Sequence, residues 1–267
     1  MKNILFTERF MLGFLDFFAV PDWFGRPEPY GYNLERIIFI LICILLCIFI
    51  PIKLKKDINA TGKTILGFWI FALAIDLIKY IFYNAYCITN NLPFSSLEFP
   101  LWTCSIYLFV VPLSLFSKKQ KIKDACNAFI CSISMLGGFI NFLFPTESLF
   151  SFMGLHTFVY HFILLITPII MLSSGYYKPR FEHFKGAIFI FIAYGIPVFI
   201  FNNIFEQDYM FTYDGSWFGP MADFAELMPH RLVWTAVCVA GHALVIALMI
   251  LIESKLVKNN SQEKDLS

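Results

Sequence analysis

Apolar residues occur along the chain in seven long runs, which short polar connections separate. Runs of about 17–25 apolar residues are long enough to cross a bilayer as helices. The runs lie near residues 36–52, 64–88, 97–116, 124–144, 154–173, 185–205 and 232–253. The pattern therefore predicts an all-α membrane protein built as a seven-transmembrane helix bundle.

Basic residues mark every second connection. They follow the first, third and fifth predicted helices and return in the tail: Lys53, Lys55, Lys56, Lys63, Lys118, Lys119, Lys121, Lys123, Lys178, Arg180, Lys185, Lys255, Lys258 and Lys264. The intervening connections, 89–96, 145–153 and 206–231, hold almost no lysine or arginine. Because basic connections stay on the cytoplasmic side, we expect the N-terminus outside and the C-terminus inside.

The N-terminal 30 residues differ from the predicted helices. Glu8, Arg9 and Asp16 interrupt each short apolar run, so the segment does not resemble a signal peptide. Its phenylalanines recur at helical spacing, which predicts an amphipathic segment lying in the outer interface. The expected organisation is an interfacial segment at 1–30, a seven-helix domain at 31–255 and a polar cytoplasmic tail at 256–267.

Composition supports the membrane assignment. Of the 267 residues, 58% are hydrophobic and 15% are charged, against about 25% charged in soluble domains. The net charge of +1 does not indicate a nucleic-acid partner, and we expect none. The seven cysteines lie within or at the ends of apolar runs, without the spacing of a disulfide framework or a zinc site. We expect neither a metal nor a diffusible cofactor.

Ionisable residues inside predicted helices are candidates for function because they are costly in lipid. Asp76 and Lys79, three residues apart, could pair with each other or contact a substrate. His242 follows Cys238 by one helical turn and could equally serve helix packing. On the outer side, His230 and Arg231, with Lys79, are the bases placed to meet a lipid phosphate, although interfacial anchoring explains the first two as well.

Cys104 and His161 form the most informative pair. Each lies about seven residues past the outer end of a predicted helix, roughly 10 Å below that end. Asn203 reaches the same outer half on the sixth helix. Pro112, Pro168 and Pro197 follow at similar depths, and proline tends to kink helices. These kinks could open a cavity toward the outer leaflet, lined by Cys104, His161 and Asn203.

A thiol beside an imidazole suits covalent catalysis. The imidazole can take the thiol proton, and the thiolate can attack an ester carbonyl to give an acyl-enzyme. Asn203 or Asn202 could orient the imidazole or bind the developing oxyanion. The predicted catalytic residues are therefore Cys104, His161 and Asn203, and the predicted substrate-binding residues are Asp76, Lys79, His242, His230 and Arg231.

Several local patterns resemble the YwaF-like bacterial integral membrane proteins. Pro100-Leu101-Trp102-Thr103-Cys104 resembles their Pro-Leu-x-x-Cys signature. Gly137-Gly138, Tyr160-His161 and Pro168 look like the next block. Asn203 followed by Tyr209-Met210 is similar to a later segment, with Asp208 where that segment often has asparagine.

The resemblance implies a function and an assignment of roles. Animal relatives of these proteins include a TMEM-class acyltransferase that makes polyunsaturated ether phospholipids through a Cys–His pair. By that resemblance, Cys104 would be the nucleophile and His161 the base. Membrane lipids, a glycerophospholipid acyl donor and a lyso acceptor, would be the partners, and the location would be a bacterial plasma membrane.

Other functions remain open on the sequence alone. A transporter or substrate-binding membrane protein could use Asp76, Lys79, His161 and His242 as an ion path, although we find no internal duplication. A zinc-dependent hydrolase would need clustered ligands, and His156 and His161 are rotated by about 140° on one helix. A receptor-like role has no feature in its favour, and the oligomeric state is not indicated.

Overall fold

The computed structural model describes residues 34–94, 97–143, 149, 151–213, 223, 225–228 and 230–265. The predicted interfacial segment at 1–30 lies outside these residues. We number the α-helices in chain order: α1 Leu34–Leu54, α2 Ile58–Thr89, α3 Ile106–Phe116, α4 Gln120–Phe129, α5 Met135–Leu143, α6 Phe152–Ser174, α7 Phe184–Phe205 and α8 Arg231–Asp265. A π-helical turn, Ile130–Ser134, joins α4 to α5, and short 3-10 turns occupy Phe181–His183 and Tyr209–Phe211.

Within the described residues, six helical segments are long and apolar enough to cross a membrane: Leu34–Leu54, Ile58–Thr89, Gln120–Phe142, Phe152–Ser174, Phe181–Phe205 and Arg231–Lys255. These correspond to six of the seven predicted spans, and the prediction of a helical membrane protein is confirmed.

The third predicted span is the exception. Residues 97–116 were expected to form one helix, but the α-helix occupies only the eleven residues Ile106–Phe116. The prediction is therefore wrong for 97–105. Pro100 has no backbone N–H, and the residue before a proline is disfavoured in the α-conformation. Apolar composition alone does not reveal that this stretch leaves the helix.

Helix α6 lies at the centre of the bundle and packs against α1, α2 and α5. Its close approach to α5 depends on Gly138, where a Cβ atom would lie 2.6 Å from the carbonyl oxygen of His161. Gly137 has open space at the same position. Only the second glycine of the pair therefore sets the distance between the two helices.

The lysine-rich connections meet at one end of the bundle. The connection after α6 reaches α4 through His183, whose Nε2 is 3.9 Å from Asp124 Oδ2, and Tyr176 lies beside Gly62 near the start of α2. At the opposite end, Asn84 and Tyr209 both contact residues 97–99. We call these the lysine-rich end and the Cys104 end. Their assignment to the cytoplasmic and outer sides stays a prediction.

The last helix runs further than its apolar segment. Helix α8 continues to Asp265, so the predicted cytoplasmic tail at 256–267 does not begin at a helix end. The tail is polar in sequence but helical through most of its length.

Candidate functional site

Residues 97–105 are a non-helical segment that leads into α3 and carries Cys104. Irregular backbone is tolerated at membrane depth only where protein or a polar cavity satisfies its N–H and C=O groups. The source of those hydrogen bonds therefore decides how firmly Cys104 is held.

Side chains from three separate parts of the chain supply them. The Asn84 amide of α2 donates to the carbonyl oxygen of Glu98 at 2.9 Å, and its Oδ1 accepts from the Glu98 N–H at 2.8 Å. The Tyr209 hydroxyl accepts from the Phe99 N–H at 3.0 Å and donates to the Leu97 carbonyl at 3.3 Å. Burial raises the pKa of Tyr209, which keeps its hydroxyl protonated as this donor. From α7, the Tyr194 hydroxyl donates to the Pro100 carbonyl.

A tryptophan completes the start of α3. Pro112 lacks the N–H that would normally bond to the carbonyl of residue 108, four positions earlier. Trp69 Nε1 of α2 donates to that Leu108 oxygen at 2.8 Å. The proline in the short helix is thereby compensated from a neighbouring helix.

Cys104 lies in the turn immediately before α3 and is partly buried. It was expected inside a spanning helix, and that expectation is wrong because the helix begins at Ile106. The Tyr160 hydroxyl of α6 donates to the Cys104 carbonyl at 3.2 Å. This bond places Cys104 beside the turn of α6 that carries His161.

His161 is oriented by its own helix. Its Nδ1 lies 2.7 Å from the Thr157 carbonyl oxygen, and only an N–H can donate to a carbonyl. This tautomer leaves Nε2 as the basic nitrogen. The imidazole sits edge-on to Tyr160, with ring centroids 6.0 Å apart, so one tyrosine contacts both members of the predicted dyad.

Asp76 and Lys79 do not pair with each other as their spacing suggested. Asp76 Oδ1 is 2.9 Å from His156 Nε2, and Lys79 Nζ is 3.0 Å from Glu98 Oε2. All four side chains are largely buried, between 5% and 12% exposed. The two pairs therefore link α2 to α6 and to the segment that carries Cys104.

We call these four residues the charged cluster, and three of them, Asp76, Lys79 and His156, lie within electrostatic range of His161. Asp76 and Lys79 lie within electrostatic range of both Cys104 and His161. His156 stacks on Tyr160, with ring centroids 5.6 Å apart and an interplanar angle of 17°. A change of charge at Cys104 or His161 therefore changes the electrostatic potential at Asp76 and Lys79.

The two neighbouring asparagines have opposite environments. Asn203, the predicted catalytic residue, is exposed; its amide donates to the Phe199 carbonyl, and its oxygen accepts from Arg231 at 3.4 Å. Asn202 is fully buried and bonds to Tyr209 through both the backbone N–H and the carbonyl. Asn202 thus holds the tyrosine that holds the Cys104 segment.

The other predicted binding residues lie apart from the dyad. His242 stacks on Phe191 of α7 at 4.7 Å, and its Nδ1 contacts the Cys238 carbonyl at 2.8 Å. His230 is exposed, and its Nδ1 accepts from the Leu232 N–H. Arg231 lies over the Tyr213 ring at 3.8 Å. No described contact joins these three to the charged cluster.

Two further observations concern the zinc-dependent alternative and the position of Asp208. Among the described residues, no three His, Cys, Asp or Glu side chains are grouped as metal ligands. Asp208 is buried, and its Oδ1 accepts from the Tyr213 N–H at 2.9 Å, which closes the turn after α7.

Sequence reasoning missed several residues that build the site. Glu98 could have been found, because it is an ionisable residue within the third apolar run. Tyr160, Tyr209 and Asn84 carry no such signal, since tyrosines and asparagines occur throughout the chain. Their role depends on which backbone groups the fold leaves without partners.

Comparison with known proteins identifies the family of the chain. No curated protein and no solved structure matches the chain. The model of the TMEM164 family matches residues 30–253, from just before α1 almost to the end of the apolar part of α8. This match agrees with the TMEM-class side of the resemblance and does not test the bacterial YwaF-like assignment. The chain, an integral membrane protein by its helices, therefore belongs to the TMEM164 family.

Proposed function

We propose that the protein is a membrane-embedded acyltransferase, or acyl hydrolase, that acts on glycerophospholipids through a thioester on Cys104. His161 is the base. The observation that carries the proposal is the Tyr160 hydroxyl bond to the Cys104 carbonyl. This bond lies beside the turn of α6 where the Nδ1 contact of His161 leaves Nε2 as the basic nitrogen.

The first half-reaction forms the acyl-enzyme. Nε2 of His161 takes the thiol proton, and the Cys104 sulfur attacks the ester carbonyl carbon of a phospholipid. A carbon–sulfur bond forms, the ester carbon–oxygen bond breaks, and His161 returns its proton to the departing lysolipid oxygen. Asp76, a carboxylate within electrostatic range, stabilises the transient imidazolium.

The second half-reaction releases the acyl chain. His161 takes a proton from the acceptor hydroxyl, whose oxygen attacks the thioester carbon. The carbon–sulfur bond breaks, and the proton returns to the Cys104 sulfur. A lysolipid acceptor gives a transferase and water gives a hydrolase; the bilayer setting favours the lipid.

We assign the oxyanion donor to Thr103 in preference to Asn203. The Thr103 Oγ1 atom is buried, adjoins Cys104 in sequence and has no hydrogen-bond partner among the described residues. An unused buried hydroxyl beside the nucleophile can donate to charge that develops on the substrate oxygen. The exposed Asn203 amide is already engaged with Phe199.

The charged cluster bears on the second candidate function, that of a transporter. A transporter would use Asp76 and Lys79 as mobile ion sites, whereas each has a close partner in this structure. The partners favour a fixed electrostatic frame over a conducting path. From the YwaF-like resemblance, we further propose that the membrane is a bacterial plasma membrane.

Acyl exchange between a labelled phosphatidylcholine and a lysophosphatidylcholine, with purified protein in lipid vesicles, tests the proposal. Cys104→Ala and His161→Ala should each abolish transfer. Matched controls are two other buried cysteines, Cys87→Ala on α2 and Cys126→Ala on α4. Both controls should retain exchange.

The outcomes are distinct. Loss in both dyad variants with activity in both controls supports the dyad. Exchange in Cys104→Ala at the wild-type rate refutes the thioester route. The transporter would be established instead if the vesicles take up protons or ions, if Asp76→Asn stops that uptake and if Cys104→Ser leaves it intact.

A further inference from the structure

Glu253 is a buried acid in the part of α8 that approaches the lysine-rich end. It follows Arg231 by about 33 Å along the helix, at about 1.5 Å per residue. Its side chain is 3% exposed, and neither carboxyl oxygen has a hydrogen-bond partner among the described residues. An acidic residue buried in a membrane helix without a partner is unusual and points to function.

Two titratable side chains that are not basic lie close to Glu253. Cys131, in the π-helical turn Ile130–Ser134, and Tyr177, in the connection after α6, both lie within electrostatic range of it. Helix α8 packs directly on that π-helical turn and on the 3-10 turn Phe181–His183. π-helical turns are rare and occur frequently at functional sites. Neither Cys131 nor Tyr177 supplies a positive charge to balance a carboxylate, and no hydrogen bond joins Glu253 to a basic side chain within the described part of the chain.

An ionised carboxylate without a partner is strongly disfavoured in an apolar interior, so the side chain is stable there only as the neutral acid. The neutral form of Glu253 carries a proton on its carboxyl group. The ligand that this position binds is therefore a proton.

Polar side chains connect this position with the lysine-rich end. Tyr177 lies in electrostatic range of both Glu253 and Asp124, and its hydroxyl is 2.9 Å from His183 Nδ1. His183 Nε2 is 3.9 Å from Asp124 Oδ2, whose side chain is 28% exposed. Burial raises the pKa of Tyr177, so its hydroxyl passes a proton without standing ionised.

We propose that Glu253 is a proton-binding site, loaded from the lysine-rich end through His183 and Tyr177. A proton that arrives at His183 Nε2 allows Nδ1–H to pass its proton to the Tyr177 oxygen. The Tyr177 proton then moves through one bridging water to the Glu253 carboxylate, since no direct hydrogen bond to that carboxylate exists among the described residues. Only O–H and N–H bonds change. The site uses none of the residues of the acyl-transfer proposal and stands or falls separately from it. If the protein couples any process to protons, Glu253 and not Asp76 is the carboxyl that binds them.

Infrared spectroscopy of the protein in lipid bilayers tests the site directly. At neutral pH the wild-type protein should show the C=O band of a protonated carboxylic acid, and Glu253→Gln should lose it. Glu182→Gln removes an exposed acid at the same end of the bundle and should leave the band unchanged. Glu253→Asp keeps an acid at the position and should shift the band, which covers the case in which the glutamine variant fails to fold.

The path is tested by the rate at which that band shifts after transfer to deuterated buffer. Tyr177→Phe and His183→Gln should slow the shift several-fold, whereas Tyr176→Phe, at the neighbouring half-buried tyrosine, should not. Equal rates in all variants would overturn the path. A Glu253 that absorbs as a carboxylate at neutral pH, or one that responds to sodium or potassium ions in place of protons, would overturn the site.

Discussion

Buried ionisable side chains at the Cys104 end lie in close pairs, whereas Glu253, toward the lysine-rich end, has no such partner among the described residues. The charged cluster joins Asp76 to His156 and Lys79 to Glu98 within 3.0 Å. Both oxygens of the Glu253 carboxyl lack hydrogen bonds within the part of the chain that the structure describes. The same residue type, an acid in an apolar bundle, is therefore stabilised in two different ways.

The difference separates a site that fixes the positions of side chains from a site whose protonation state can change. These close pairs hold three parts of the chain in one arrangement: α2, α6 and the segment before α3. The pairs fix the relative positions of these three parts, and removing one partner leaves the other buried without compensation. An unpaired acid holds nothing in place; it changes its protonation with its surroundings. The predictions below follow this contrast from the largest expected effect to the smallest.

Removing the positive charge of the cluster should have the largest effect on stability. Lys79→Met leaves Glu98 buried without its partner, and we expect a loss of about 3–5 kcal/mol in the free energy of unfolding. Lys79→Met combined with Glu98→Gln removes both charges and should recover much of the loss. Unfolding in mixed micelles measures both values. A double variant no more stable than the single one would show that the pair is not a coupled unit.

A methyl group at Gly138 should displace the base. Gly138→Ala places a Cβ against the His161 carbonyl, so α6 must shift away from α5. Because misplacement of a catalytic group by about 1 Å can lower a rate by about a hundredfold, we expect most exchange activity to be lost. Gly137→Ala, in open space, is the matched control. Equal activity in the two variants would show that this contact does not position His161.

Removing the donor that compensates Pro112 should have a moderate effect. Trp69→Phe keeps an aromatic ring but leaves the Leu108 carbonyl without its bond, at a cost of about 1–3 kcal/mol. Trp102→Phe, which removes a 3.2 Å bond to Glu98 Oε1, allows a comparison with loss of a donor to a charged group. A Trp69→Phe protein as stable as the wild type would mean that water or another group satisfies this carbonyl.

Substitution of the unpaired acid should have the smallest effect. Glu253→Gln replaces a neutral acid by a neutral amide of nearly the same shape, and we expect a change below about 1 kcal/mol at neutral pH. Raising the pH should destabilise the wild type, because the folded protein keeps the Glu253 proton while unfolding releases it, and a higher pH favours that release. The glutamine variant should lack this contribution. A large loss at neutral pH would indicate an ionised Glu253 with a partner.

The sequence was sufficient for the helical segments because hydrophobicity in a membrane is nearly a one-dimensional property. Six of the seven runs became long helices, since each must satisfy its own backbone in lipid. The run at 97–116 failed for the same physical reason: residues 97–105 leave the helix because Asn84, Tyr209 and Tyr194 bond their backbone. Hydropathy contains no information on such distant donors.

The candidate site was predictable by residue type but not by partner. Asp76 and Lys79 stood out as charges within a span, yet their spacing predicted a pair that the fold replaces with His156 and Glu98. Asn203 stood out by position, while its neighbour Asn202 carries the buried bonds. One residue along a helix is a rotation of about 100°, so small uncertainties in helix rotation exchange a buried role for an exposed one.

The central claim is that Cys104 carries the acyl group. Mass spectrometry of the protein, after incubation with phospholipid alone and removal of the lysolipid product, tests it most directly. We predict an added acyl mass on Cys104, which treatment with hydroxylamine or with lysolipid removes. The His161→Gln variant should not acquire this mass. Turnover with no acyl group on Cys104, or an acyl group on another residue that supports full turnover, would contradict the account.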